Sequence, residues 1–282
     1  MDTDRAQDPR LAEPPATLTR DRWWVTVAAV VWIVGSLFGT GVIGGGVEQQ
    51  GDGLFSDSAT LIAPMGPAFS IWSVIYLGLA AYVVWQWLPS TARSRWAART
   101  RIPAGIAIAL NGLWLLVVQA DLIWLSVVVM AGIVVSLGLV LRATAHLPRE
   151  GWGADLTVSA THGLYLGWIC VATCANVALF LVDLGVPETG TTSELVTAAV
   201  IAVVVVLAAW LLARTGQRIF AGGLAAAVVW GLAWVAAGRL TAEPESTTVG
   251  LAAAVAAVGV AALAVVLIVK KGTDPGRTRV AA

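Results

Sequence analysis

LTVSATHGLYLGWICVATCANVALFLVD, residues 156–183, is one unbroken apolar run whose only charge, Asp183, closes it. Crossing the hydrocarbon of a bilayer takes about 20 such residues, so the run spans a membrane with length left over to tilt. Inside it His162, Tyr165, Trp168, Ala172 and Asn176 recur at steps of three and four, the rhythm of one helical face. Polar groups are expensive against lipid. A stripe holding His, Tyr, Trp and Asn therefore faces other helices, and the helix belongs to a bundle.

Seven further runs satisfy the same length criterion, near 23–46, 67–88, 103–120, 122–142, 194–213, 219–238 and 248–269. Composition agrees with them. Of 282 residues 58% are hydrophobic and 12% charged, at a mean hydropathy of +0.83, about half the charge that clothes a soluble globule. Seventeen basic residues cancel seventeen acidic ones, which argues against a nucleic-acid partner. Two cysteines, Cys170 and Cys174, are too few for a disulfide scaffold or a multi-cysteine metal site.

The loops test the span count independently. Sixteen of the 17 Lys and Arg residues fall in alternate connections and the two tails, leaving Arg239 by itself on the opposite side. That segregation exists only with eight spans, and the positive-inside rule then places both termini in the cytoplasm. The expected class is an all-α integral membrane protein with eight transmembrane helices. Residues 1–22 and 272–282 read as disordered tails. The first apolar run is too long for a cleavable signal peptide and lacks its exit motif. The connection at 47–66, rich in Gly and bounded by Pro64 and Pro67, is long enough to read as a lid.

Tryptophan prefers the membrane interface, which accounts for Trp23, Trp24, Trp85, Trp87, Trp124 and Trp210 at span ends, and Trp96 and Trp152 in loops. It does not account for Trp32, Trp114, Trp168 and Trp230, set well inside their spans. Those indoles are either ordinary helix packing or the wall of a cavity for a flat apolar ligand. Polar residues concentrate in the same spans: Ser70, Ser73, Tyr76 and Gln86 in the second, Asn111 and Gln119 in the third, and the stripe of the fifth. A lone membrane histidine such as His162 is more often a hydrogen-bonded core residue than a metal or haem ligand. Small residues such as Gly35–Gly39 and Ala221–Gly222–Gly223 suit close helix approach. No Lys lies within a span, which excludes a retinal Schiff base, and no Asp, Glu or Arg sits at midplane, where a coupled transporter would need one. No nucleophile–base pair or H-E-x-x-H motif supports catalysis by side chains.

Three motifs in order resemble the TspO/MBR family, the tryptophan-rich sensory proteins related to the translocator protein. They are Pro64, Trp72 and Tyr76 in PMGPAFSIWSVIY, Ala109, Leu110, Asn111 and Trp114 in the third span, and Tyr165, Leu166, Trp168, Ala172, Thr173 and Asn176 in the fifth. The resemblance implies a five-helix bundle over 23–183, to which 184–271 adds three further helices, in a bacterial inner membrane. It implies a pocket for a flat hydrophobic ligand, a tetrapyrrole or sterol-like molecule, lined by Trp72, Tyr76, Asn111, Trp114, Tyr165, Trp168, Ala172 and Asn176, to which the stripe of the fifth span adds His162, with Pro64 and Pro67 in the lid. No cofactor is required, no metal site is expected, and the partners implied are the small molecule and the bilayer, with a homodimer as the candidate assembly. Alternatives are a permease for a hydrophobic substrate, light- and oxygen-dependent porphyrin degradation, and a structural partner that docks through the last three helices.

Overall fold

The computed structural model describes residues 17–43 and 58–272; the tails and most of the connection read as a lid lie outside the described residues. Eight helices are each long and apolar enough to cross a membrane: α1 Thr17–Gly39, α2 Ile71–Trp85 (entered through a 3-10 turn at Gly66–Ser70), α3 Arg95–Gln119, α4 Ile123–Thr144, α5 Trp152–Asp183, α6 Thr191–Arg214, α7 Arg218–Thr241 and α8 Thr247–Gly272. No strand occurs among the described residues. Hydrocarbon offers no water to unpaired peptide groups, so a chain this apolar closes its backbone hydrogen bonds within helices.

Two boundaries differ from the sequence reading. Helix α1 starts at Thr17, inside the segment read as a tail. Helix α3 starts at Arg95 rather than near 103, because Ser94 caps it: its Oγ accepts from the Ala97 amide at 3.0 Å. Trp96, assigned to a loop, is consequently buried in the first turn and donates Nε1–H to the Pro148 carbonyl at 2.8 Å. The tight hairpin between α3 and α4 is made by Asp121 at φ 53°, a left-handed conformation that Asp tolerates because its short side chain bonds locally.

Helices α1 to α5 close a ring in the spatial order α1, α3, α4, α5, α2. Helix α7 packs on the outer face of α5, α8 packs on α7, and α6 packs on α8. Lipid tails are as apolar as leucine, so such packing relies on close backbone approach. A Cβ on Gly35 or Gly112 would collide with the facing backbone across α1–α3, and one on Gly163 or Gly167 with the Phe220 or Leu224 carbonyl across α5–α7. Of the small-residue stretches read from sequence, Gly35 and Gly223 are at such crossings, whereas Gly222 has nothing near it. Valines 203, 206, 255 and 258 on α6 and α8 are exposed and form the lipid-facing surface of the outer layer.

Helix α5 departs from α geometry at Asp155–Ala160, a π-helical stretch in which Thr161 Oγ1 donates to the Leu156 carbonyl five residues back, at 2.9 Å. α2 meets α5 along this stretch. Beyond it, Thr161–Asp183 is regular, so the predicted stripe does lie along one face of the helix.

Candidate functional site

The ring encloses a cavity at the end of the bundle that carries the fewest cations. Segment 59–64 roofs it through Ala59, Thr60, Ala63 and Pro64, and Phe69 of the 3-10 turn adds one edge. Its walls are Trp72 of α2, Asn111 and Trp114 of α3, Met130 of α4, and Trp168, Ala172, Ala175, Asn176 and Leu179 of α5. Its volume is about 80 Å³. A water occupies roughly 10–15 Å³ on that measure, so the space takes a small ring system but is below the roughly 300–1,000 Å³ of a site for a drug-sized ligand.

Seven of the predicted residues thus line the cavity: Pro64, Trp72, Asn111, Trp114, Trp168, Ala172 and Asn176. Four do not: Pro67, Tyr76, His162 and Tyr165. The reason is depth. A helix rises about 1.5 Å per residue, so His162 shares a face with Trp168 but sits roughly 9 Å further along the axis. There its Nδ1 is 3.0 Å from the Val158 carbonyl and its ring stands edge-on to Tyr82 at 5.0 Å. Tyr76 and Tyr165 pack behind the lining, with their rings 5.2 Å and 5.9 Å from that of Trp72. Tyr165 donates to the Ala107 carbonyl at 3.4 Å. Pro67 opens the 3-10 turn and accepts from Ser70 Oγ at 2.8 Å.

The aromatic walls are mutually braced. Trp168 stands edge-on to Phe69 at 5.8 Å and to Trp72 at 6.1 Å, and Trp32 of α1 reaches Tyr76 at 5.1 Å. Offset and edge-on pairs of this kind are favoured by the ring quadrupoles. All four mid-span tryptophans find protein partners rather than facing lipid alone: Trp32 and Trp168 are buried against rings, Trp114 donates to Asn176 Oδ1 at 3.2 Å, and Trp230 donates to the Ala68 carbonyl at 2.9 Å.

The two asparagines serve the ring first. Asn176 accepts from Trp114 and donates through Nδ2 to Ser126 Oγ at 2.9 Å, joining α3, α4 and α5. Asn111 Oδ1 accepts from Tyr76 at 3.1 Å, and its side chain also hydrogen-bonds with Tyr165, so it ties the cavity wall to the two tyrosines behind it. Trp168 Nε1 and Thr60 Oγ1 are buried without hydrogen-bond partners among the described residues, and both residues line the cavity. Buried donors normally find acceptors, so these two await one. No carboxylate, imidazole, thiol or cation lines the cavity among the described residues.

The roof is held from outside the ring, which the sequence reading missed. Helix α7 binds the roof and the residues that extend it to Ala68 at three places. Trp230 reaches Ala68, the Trp234 carbonyl accepts from the Met65 amide at 3.3 Å, and Arg239 NH1 reaches the Thr60 carbonyl at 3.5 Å while also donating to that of Pro244 at 2.9 Å. Trp230 and the solitary Arg239 were the available signals, since neither fits a bare lipid-facing helix. At the opposite end the ring is sealed. Arg22 and Arg101 converge on the C-terminus of α2, donating to the carbonyls of Gln86, Leu88 and Thr91, where cations complement the helix dipole.

Neither a curated protein nor a solved structure matches the chain. The family described as TSPO-like protein matches residues 22–268, through all eight helices rather than the first five alone. With eight membrane-spanning helices and a match over most of its length, this chain belongs to the TSPO-like protein family.

Proposed function

We propose that the protein is a sensor-type membrane receptor that binds a flat hydrophobic molecule in the cavity of the α1–α5 ring. Family membership supports the coarse class. The observation that carries the finer reading is the pair of unpartnered donors, Trp168 Nε1 and Thr60 Oγ1, on a largely apolar cavity walled by three indoles and two asparagines. Apolar cavities with a few convergent polar groups are the usual form of a ligand site. Trp72, Trp114 and Trp168 supply dispersion and ring contact, and the donors orient an uncharged acceptor such as a carbonyl or ring nitrogen. Burying apolar area contributes about 25 cal/mol per Å², which amounts to several kcal/mol for a ligand the size of one or two rings. A whole tetrapyrrole enters only if the roof at 59–64 moves outward. Iron in such a macrocycle would find no imidazole at the cavity, since His162 lies deeper. We propose binding without catalysis and without a required cofactor. By the positive-inside rule the cavity opens on the extracytoplasmic side.

Quenching of tryptophan fluorescence by protoporphyrin IX tests this. Trp72→Ala combined with Trp168→Ala weakens binding by about tenfold or more, or about 1.4 kcal/mol, while Trp23→Ala leaves affinity unchanged. Equal affinity in all three proteins removes the cavity from the account.

A further inference from the structure

A second and larger cavity, about 320 Å³, lies beside the first, between the C-terminal turns of α5 and the start of α6. Only segment 60–62 and one turn of α5 separate the two. Thr60 lines both. Around it the segment alternates: Ala59 and Ala63 face the ring cavity, while Leu61 and Ile62 face the second chamber. On α5 the division is as thin, with Ala175 and Leu179 on one side and Ala178 and Val182 on the other. The second chamber is bordered by Leu181 and Val196, 39% and 53% exposed on helices that cross the membrane, and by the connection from Val186 to Ser193 with Glu188 and Thr189, so it opens at the helix ends, where the membrane meets water.

We infer that this chamber is the antechamber of the ring cavity, through which a hydrophobic ligand passes from the membrane surface, between the ends of α5 and α6, across the Thr60–Ile62 partition. The inference rests on the reading of the ring cavity as a ligand site. Three observations carry it. The partition is one segment thick, and small side chains face the ring cavity. Thr60 Oγ1, buried and unpartnered, stands on the boundary and offers a hydrogen bond to a ligand on either side. The partition is tethered to α7 by the Arg239–Thr60 contact at 3.5 Å, which links its position to the outer layer. The outer layer then has a part in binding: α6 builds the entrance and α7 sets how readily the partition moves.

A route affects rates, and a resting site affects affinity. The test is stopped-flow mixing of protoporphyrin IX with wild-type protein, Val196→Trp and Ala178→Phe in nanodiscs, read by tryptophan quenching. Val196 is on a half-exposed surface, so its replacement leaves folding intact. The expected result is that Val196→Trp and Ala178→Phe slow association and dissociation alike, by about fivefold, with Kd held within about twofold, and that Arg239→Gln speeds both. Wild-type protein that binds with rates indifferent to positions 178 and 196 overturns the route and leaves the ring cavity standing. A weaker Kd with unchanged association overturns it too, by making the chamber a resting site. Wild-type protein that does not bind removes both readings.

Discussion

Both halves of the α1–α5 ring are lined with aromatic side chains, and among the described residues the cavity lies in the half with fewer cations. In that half Trp72, Trp114 and Trp168 look across at Ala172 and Ala175 of α5 and at alanines of the roof. In the other, Tyr82 is fully buried between His162 at 5.0 Å and Trp85 at 6.1 Å, and its hydroxyl is 3.0 Å from Thr100 Oγ1. Large rings opposed by large rings interlock to crystal-like density, and large rings opposed by alanines leave room. In this protein tryptophan content therefore marks packing in general, and the alanines opposite mark the site.

Substitutions break the comparison in different ways in the two halves. The largest effect on stability is expected in the filled half. Tyr82→Ala removes a ring from interlocked packing and unfolds the protein about 3 kcal/mol more easily, seen as a large drop in melting temperature, with no specific effect on ligand affinity in the protein that remains folded. An intermediate effect is expected at the cavity wall, where one amide joins three helices. Asn176→Leu strips acceptor and donor from Trp114 and Ser126 and costs about 1–3 kcal/mol for the groups left unpaired; an unchanged melting temperature contradicts the role of this amide in joining three helices. The smallest effect on binding is expected at His162. His162→Leu leaves protoporphyrin affinity within about twofold, and a loss of tenfold restores the histidine to the site.

The number of helices was legible because hydrophobic length and arginine placement are independent signals that agree, and both act on whole segments. The face of α5 was legible because helical periodicity is local. Depth along the axis was not. Residues 162 and 168 stand at the two edges of one stripe, about 120° and 9 Å apart on the helix, and nothing in their spacing says where the opposing helix changes from Tyr82 to an alanine-faced gap. The contribution of α7 was also hidden, because the bonds to Ala68 and Met65 join positions more than 160 residues apart and two of the three α7–roof bonds use a backbone carbonyl of the roof as acceptor, which no side-chain pattern reveals. Met130 and Phe69, each apolar and unremarked in sequence, enter the cavity for the same reason: the ring order α1, α3, α4, α5, α2 decides what faces what.

The most direct test of the central claim fills the void and leaves its walls untouched. Ala172→Phe places a ring where α5 leaves space beside Trp168, and protoporphyrin IX titration read by tryptophan quenching is compared with wild type alongside melting temperature. The account predicts an affinity weaker by about tenfold or more with a melting temperature that does not fall, since the new ring occupies vacant volume. Wild-type affinity in a folded Ala172→Phe protein contradicts it, because a ligand indifferent to the filling of this cavity is bound somewhere else.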